Sequence, residues 1–267
     1  MSALLALREV GLHYERGGRH VIPVLENASL ELWPGEVVCV QAQRGRGKTA
    51  LLRVAAGMEQ PTAGCVWIAG EDVWGMSDRR RSRLLGCTVS WVAGAQPELD
   101  VPALDHIAMG LTIRLGTRAG YRRAHEALER VGIHDCAQQH WSELSDFERS
   151  LLVLARVFAR RSQLLFVDDL TVMLRGEESE EVGRLLASLA HDEGVGVLAS
   201  VSGVRETVWS DRVALLSCGE LMLPTPEPKP RLGKVVDFPG PRGSGGSEKA
   251  QSERRRSGRD SVHGVPA

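Results

Sequence analysis

The chain has 267 residues, 43% of them hydrophobic and 25% charged, enough to bury a sizeable core in one large domain or two small ones. A formal net charge of −1 gives no overall attraction to nucleic acid. No stretch approaches the roughly 18 apolar residues of a membrane-spanning helix, and the charged Arg8 and Glu9 come too early for a secretory signal. We expect a globular protein that reaches a membrane only through a partner.

Cysteine usage indicates the redox environment. The five cysteines are widely scattered and form no Cys-x-x-Cys pair, which favours a reducing cytosol over a disulfide framework or a zinc site. We expect free, buried thiols at Cys39, Cys65, Cys87, Cys136 and Cys218.

The first informative segment predicts a strand, a glycine-rich loop and a helix in that order. Residues 36–40 predict a buried strand, and residues 49–56 predict a helix that Gly57 ends. Between them lies Ala42-Gln43-Arg44-Gly45-Arg46-Gly47-Lys48-Thr49. A strand–loop–helix unit of this kind is typical of a phosphate-binding site, because backbone N–H groups and a helix N-terminus together attract anions.

Lysine usage supports this interpretation of the loop. The chain uses arginine at nearly every basic position, and its lysines besides Lys48 are Lys229, Lys234 and Lys249. A compact ammonium at position 48 can reach the outer phosphates of a nucleotide, and the Thr49 hydroxyl can bind Mg²⁺. The segment predicts a Walker A loop, in which Ala42 replaces the first glycine. That replacement is tolerable only if Ala42 has a negative φ; a chance glycine-rich turn is the alternative.

With this loop in place, the chain resembles ABC ATPases from about Leu5 to Leu223, most closely the lipoprotein-release and macrolide-export branch. The resemblance implies an α/β fold with a P-loop NTPase (RecA-like) core and a mostly parallel sheet. It also implies an N-terminal antiparallel β subdomain and an inserted helical subdomain at about residues 79–162.

The resemblance covers the segments on either side of the loop. Residues 7–34 are similar to the opening β-rich segment of the family, and residues 56–70 to its helix-to-hairpin link. Tyr14 matches the aromatic residue that stacks on adenine, although it could also be a half-exposed strand residue. The predicted ATP contacts are Tyr14, Ala42, Gln43, Arg44, Gly45, Arg46, Gly47, Lys48, Thr49 and Ala50.

The acidic motif of the family has a counterpart at residues 164–169. Leu-Leu-Phe-Val followed by Asp168 and Asp169 predicts a buried parallel strand that ends in two carboxylates. By the resemblance this is Walker B: Asp168 orders Mg²⁺ together with Thr49, and Asp169 takes the place of the glutamate that polarises the attacking water. Aspartate is one methylene shorter, so we expect slow hydrolysis at best. An Asp-Asp pair that begins a turn is the alternative.

Other family positions are degenerate. The signature Leu-Ser-Gly-Gly-Gln is here residues 144–148, Leu-Ser-Asp-Phe-Glu, in which Ser145 and Glu148 have the spacing of a capping box. The Mg²⁺-sensing glutamine aligns with Ala93, with Gln96 nearby, and the switch histidine aligns with Ser202. Arg175 replaces the aspartate that couples the two nucleotide sites.

The C-terminal segment differs in composition from the rest of the chain. Residues 224–267 carry nine basic and five acidic residues and are rich in Pro, Gly and Ser, which predicts a disordered basic tail after an ATP-binding domain of residues 1–223. Within the domain, the apolar segment around Ala93 suits either a docking surface for a membrane subunit or a buried helix face.

The sequence thus predicts an ATP-binding subunit of an ABC transporter that couples ATP binding and slow hydrolysis to transport. It would lie in the cytoplasm at the inner face of the membrane, bound to membrane-spanning permease subunits, as a homodimer or preferably a heterodimer with another ABC ATPase. A non-hydrolysing regulatory partner is the alternative function. A nucleic-acid role is disfavoured because the body has one such domain and no basic patch; P-loop kinases and GTPases fit the motif spacing less well.

Overall fold

Two β-sheets and the helices around them form the architecture of the computed structural model, which describes residues 2–16, 20–94, 99–203 and 207–223. The strands of these residues, in chain order, are β1 (Leu5–Arg16), β2 (His20–Leu32), β3 (Val37–Gln41), β4 (Ala63–Ile68), β5 (Glu71–Asp72), β6 (Val89–Ala93), β7 (Leu164–Asp168), β8 (Gly196–Val201), β9 (Arg212–Ser217) and β10 (Glu220–Met222). The helices are α1 (Lys48–Ala55), α2 (Asp78–Thr88), α3 (Ala103–Leu115), α4 (Thr117–Arg130), α5 (Asp146–Arg160) and α6 (Gly176–Glu193).

The N-terminal sheet is antiparallel. Its strand order is β2-β1-β4-β5, and the β1–β2 pairing contains register shifts that bend the ribbon. This sheet corresponds to the predicted N-terminal β subdomain.

The second sheet has the order β10-β9-β3-β8-β7-β6. The pairs β9–β3, β3–β8, β8–β7 and β7–β6 are parallel, and the β10–β9 pair is antiparallel. Strands β7 and β8 are buried along their whole length, as continuous apolar runs covered on both faces should be. The predicted α/β fold with a mostly parallel sheet is confirmed.

The core lies on both faces of this parallel sheet because side chains alternate along each strand. In β3, Val38 and Val40 pack toward α1 and the N-terminal sheet, whereas Val37 and Cys39 pack with α5 and α6. Helix α6 buries Val182, Leu186 and Leu189 in the same cluster as Val37 and Cys39.

Two features differ from simple expectation. Strand β6 lies inside the region predicted as helical, residues 79–162, and pairs with β7, because its apolar Val-Ser-Trp-Val sequence completes the main sheet. The prediction of five free thiols is confirmed, but the prediction that all five are buried is wrong. Cys39 and Cys136 are buried, whereas Cys65, Cys87 and Cys218 are exposed.

Among the described residues, no helix combines the length and the apolar character that crossing a bilayer requires. The predicted tail, residues 224–267, lies outside the described residues.

Candidate functional site

The glycine-rich loop connects the end of β3 to the first residue of α1, and its shape depends on two glycines. Gly45 and Gly47 have φ angles of 77° and 92°, which side chains other than glycine rarely adopt. A Cβ on Gly47 would also lie 3.2 Å from the backbone oxygen of Val24. Gly47 is the N-cap of α1, so the free N–H groups of that helix point into the loop.

Ala42, which replaces the first glycine of the motif, does not strain this loop. Positive φ angles among the described non-glycine residues occur elsewhere, at Glu9, Asn27, Ala69, Arg161, Asp169 and Cys218. Ala42 is instead buried in the apolar cluster beneath α1. The methyl group of Ala42 therefore fits, and the required negative φ at this position is present.

Lys48, the first residue of α1, is the buried charge of the site and is 5% exposed. Its Nζ donates hydrogen bonds to the backbone oxygen of Ala42 and to the Ser202 hydroxyl, both at 3.1 Å. It also lies 3.9 Å from Oδ1 of Asp169. A buried ammonium held by neutral oxygens, with one carboxylate at a longer distance, is ready to bind an anion.

Two acidic residues stand where β7 ends, Asp168 as its last residue and Asp169 directly after it. Asp168 is 9% exposed, and its Oδ1 accepts a hydrogen bond of 2.9 Å from the Ser200 hydroxyl. Asp169 has a φ of 49°, and its backbone N–H donates to the same hydroxyl at 2.9 Å. Gly94 makes room for this backbone, since a Cβ there would lie 2.9 Å from the carbonyl oxygen of Asp169.

These residues share one cavity of about 340 Å³. It is lined by Tyr14, Val24, Arg44, Gly45, Gly47, Lys48, Thr49, Ala50, Arg53 and Asp169. The structure thus brings together the predicted aromatic residue, most of the predicted loop and the second acid. Ala42, Gln43 and Arg46 belong to the same loop without lining the cavity, and neither does Asp168, which is bonded to Ser200.

Tyr14 lines the cavity and is 44% exposed as a residue. Its hydroxyl donates to Oε1 of Glu59 at 2.6 Å, and this hydrogen bond raises the pKa of Tyr14 above its usual value. Arg53 pairs with the other carboxylate oxygen of Glu59 at 3.5 Å. The hydrogen bond ties the Tyr14 hydroxyl to Glu59, and the residue still lines the cavity.

The donor set around the loop fits a magnesium ion bound with phosphates. Mg²⁺ prefers oxygen ligands and is commonly held by one or two protein groups plus phosphate oxygens and water. Asp168 supplies a carboxylate and Thr49 an exposed hydroxyl. The described residues contain no group of three or more His, Cys, Asp or Glu side chains that could hold a metal ion.

Residues 144–148, the segment aligned with the signature, lead into a well-capped helix start, as the capping-box spacing predicted. The Glu148 N–H donates to the Ser145 hydroxyl at 3.2 Å, and the Ser145 N–H donates to Oε2 of Glu148 at 2.8 Å. The backbone bond from Ser145 lowers the pKa of Glu148, so its carboxylate stays charged. Cys136 donates to its other oxygen, and burial raises the pKa of that thiol. The N-terminus of α5 is occupied by its own acid.

The other positions that the sequence singled out lie at the end of β6, after β8 and before α6. Ala93 ends β6 opposite Asp168 of β7, and Gln96 lies outside the described residues. Ser202, which follows β8, bonds directly to Lys48. Arg175 precedes α6, and its N–H donates to Glu178 at 2.9 Å.

Sequence reasoning missed three participants in this arrangement. Ser200 holds both acids, and Glu59 and Arg53 support Tyr14. A signal for Ser200 was available: it lies two residues before Ser202 at the end of an apolar strand, so both can face the same side. Glu59 gave no signal, because its pairing joins residues 45 positions apart.

A glycine loop before a helix, a buried lysine and an acidic strand end on a parallel sheet define a P-loop nucleotide-binding protein. The comparisons with known proteins specify the class further. Residues 25–172, more than half of the chain, match the ABC transporter family, and the chain belongs to that family. The resemblance predicted from the sequence is confirmed.

Similar proteins in bacteria include lipoprotein-releasing ATP-binding subunits. LolD 2 of Caulobacter vibrioides is 33% identical over 204 residues, which are 76% of this chain and 90% of that protein. LolD of Pseudomonas fluorescens is 30% identical over 223 residues, which are 83% of this chain and 98% of that protein.

Solved structures share the fold at lower identity. A dimeric ATP-binding cassette in a post-hydrolysis state with ADP and Pi superimposes with a TM-score of 0.74 at 22% identity, over 84% of this chain and 99% of that one. CbiO1 from Clostridium perfringens gives a TM-score of 0.76 at 18% identity, over 84% and 88% of the two chains. Members of the family generally bind and hydrolyse ATP, usually with Mg²⁺, and work as dimers with permease subunits.

Proposed function

We propose that this chain is the ATP-binding subunit of an ABC transporter and couples ATP binding, with slow hydrolysis, to transport across a membrane. The observation that carries the proposal is the buried Lys48 at the start of α1. It lies behind a loop shaped by Gly45 and Gly47, in one cavity with Tyr14 and Asp169. Loop N–H groups and Lys48 would hold the phosphates, and the Tyr14 ring would stack on adenine.

Magnesium would be held by the Thr49 hydroxyl and, through water, by Asp168. When bound, the ion neutralises phosphate charge and orients the terminal phosphoryl group. The chain itself would present the buried Asp168 carboxylate in a fixed position. The Ser200 hydroxyl holds it there by donating a hydrogen bond of 2.9 Å to Oδ1 of Asp168.

Hydrolysis would be slow because the groups that orient water are depleted. Asp169 must do the work of a glutamate with a side chain one methylene shorter. A displacement of about 1 Å can cost roughly 100-fold in rate. Ala93 and Ser202 supply neither an amide nor an imidazole at the other two positions. ATP binding needs none of these groups, so binding would persist where turnover is weak.

The signature segment favours a heterodimer. In a homodimer, the N-terminus of α5 would face the terminal phosphate held by the other copy. Here that end carries the charged Glu148 and also Asp146, which pairs with Arg149 at 3.2 Å. Carboxylates repel phosphate, whereas a partner ATPase with an intact signature would cover this chain's ATP without that repulsion.

This arrangement also supports a second candidate, a regulatory partner that binds ATP without hydrolysing it. The two candidates differ only in residual turnover. Both place the chain in the cytoplasm at the inner face of the membrane, bound to permease subunits.

The permease would dock at a cavity of about 360 Å³ beside α3, which Leu99, Ile107, Met109 and Arg114 help to line. The sequence left a docking surface and a buried helix face as alternatives for this apolar segment. Ile107 is buried, whereas Leu99 and Met109 are 65% and 49% exposed. Ile113 on the same helix is 90% exposed. An exposed apolar group of this kind is typical of a protein contact surface.

The direct test compares ATP affinity in the wild type and in Lys48→Ala, with Mg²⁺ present. Loss of charge-assisted hydrogen bonds worth about 1.5–3 kcal/mol each should weaken binding by at least about 100-fold. Arg8→Ala is the matched control, since Arg8 is a cation on β1 that pairs with Glu31 and does not line the cavity. If Lys48→Ala binds ATP as tightly as the wild type, the phosphate-loop assignment is wrong.

A further inference from the structure

The Ser200 hydroxyl contacts both acidic residues of the site. It donates toward Oδ1 of Asp168 at 2.9 Å and toward Oδ1 of Asp169 at 3.3 Å, and it accepts the Asp169 backbone N–H at 2.9 Å. A serine hydroxyl has one proton and two lone pairs. It can therefore hold the Asp169 backbone continuously while donating to one carboxylate at a time, and the shorter distance favours Asp168.

The position of Ser200 in the sheet explains these contacts. It lies in β8, between β3, where it is opposite Val40, and β7, whose end is Asp168. Leu198, two residues earlier, packs with Leu51 and Leu52 of α1, so the alternation of the strand directs Ser200 to the same side. Ser200 is 3% exposed, and solvent does not compete for its hydroxyl.

The Asp169 backbone needs such a partner. Its φ of 49° is uncommon for a residue other than glycine, although aspartate is among the residues that tolerate it. This conformation directs the N–H toward Ser200 and brings Oδ1 to 3.9 Å from Lys48. An apolar side chain at position 200 would leave this N–H and the Asp168 oxygen without the bonds that fix them.

We propose that Ser200 is a positioning residue that fixes Asp168 and Asp169 for magnesium-dependent ATP binding. The inference rests on the proposed function, and Ser200 acts through the two acids that it positions. Groups behind a metal ligand orient it, and their loss commonly costs roughly 10–100-fold in metal affinity.

The test uses Ser200→Thr and Ser200→Val, two β-branched side chains of nearly equal size that differ in the hydroxyl. Mg²⁺ is titrated against the full-length protein with trinitrophenyl-ATP, and ATP affinity is measured separately in EDTA. We expect Ser200→Val to weaken the apparent Mg²⁺ affinity by about 10–100-fold, with little change in EDTA, and Ser200→Thr to stay near the wild type. Ser200→Ala repeats the loss of the hydroxyl without added bulk.

Ser90→Ala is the control for loss of a buried hydroxyl. Ser90 lies in β6 and bonds to Ser162 at 2.7 Å, away from the acids, so its removal should leave the Mg²⁺ dependence unchanged. Amide exchange at Asp169 in the nucleotide-free protein gives a second readout, and it should be faster in Ser200→Val than in Ser200→Thr.

The outcomes separate this inference from the proposed function. If the wild type binds ATP with Mg²⁺ but the Val and Thr variants behave alike, the role of Ser200 is overturned and the proposed function stands. If the wild type shows no Mg²⁺-dependent ATP binding, both are overturned.

Discussion

Asp169→Asn is the substitution that best separates binding from hydrolysis. Asparagine has nearly the same shape and also tolerates the positive φ of this residue, so the backbone bond to Ser200 should survive. The change removes the charge that lies 3.9 Å from Lys48. Because the Asp169 side chain is 42% exposed, this ion pair contributes about 1 kcal/mol or less.

Two numbers follow for the variant. Freeing Lys48 from that pair should tighten ATP binding by up to about fivefold, the factor that 1 kcal/mol gives. A well-placed general base contributes about 10²–10⁴-fold to rate, and misplacement by about 1 Å removes roughly 100-fold of it. Phosphate release should therefore fall by no more than about 100-fold, and by far less if the base is already idle.

The assay is isothermal titration with ATP and Mg²⁺ alongside steady-state phosphate release, for the wild type and Asp169→Asn. A fall in release by 10³-fold or more would refute the reasoning, because it would show that Asp169 is a correctly placed base. Weaker ATP binding in the variant would contradict the claim that the Asp169 carboxylate competes with phosphate for Lys48.

Three further predictions concern parts of the site that can be changed separately. Tyr14→Ala should weaken ATP binding by about 1–3 kcal/mol if the ring stacks on adenine, whereas Tyr14→Phe, which loses the bond to Glu59, should bind nearly as well; equal binding by the two variants would exclude stacking. Glu148 has a lowered pKa because the Ser145 N–H binds its carboxylate. The resulting stability is present above the ordinary value of about 4.5 and is lost as pH falls through the folded value. The melting temperature of the wild type should therefore fall toward that of Glu148→Gln as the pH is lowered below about 4.5, and a constant difference would contradict this. Gly94→Ala places a Cβ 2.9 Å from the Asp169 carbonyl and should weaken Mg²⁺-dependent ATP binding, while Gly110→Ala, with open space in α3, should not; matching titrations of the two would count against the close approach.

The sequence was most informative where one residue type serves one purpose. Lys48, the glycines at positions 45 and 47 and the apolar strand before Asp168 predicted the loop, its helix and the acidic strand end, because phosphate binding and burial demand those residues at that spacing. The Ser145–Glu148 capping box was predictable for the same reason, since its contacts span three residues.

The sequence was least informative where contacts join distant segments. The bonds of Ser200 to the acids and of Ser202 to Lys48 connect residues 31, 32 and 154 positions apart, so local patterns do not encode them. The φ angle of Asp169 depends on Ser200 and on the space beside Gly94. Strand β6 was not predicted within the helical region, because five residues that include a polar serine give only a weak hydrophobic periodicity.

The exposed cysteines illustrate a different limit. Composition predicted free thiols, but not which of them are buried, because burial depends on the face of the element that carries each one. Cys39 faces α5 and α6 from β3, whereas Cys65 and Cys87 lie on outward positions of β4 and α2.

The decisive measurement is phosphate release by the wild-type protein at an ATP concentration that titration shows to be saturating. We expect ATP binding that requires Lys48, together with release well below about 1 per second, the low end of ordinary enzyme turnover. Release at an ordinary enzymatic rate by the purified chain alone would contradict the claim that its hydrolytic machinery is depleted, and absence of ATP binding would contradict the phosphate loop itself.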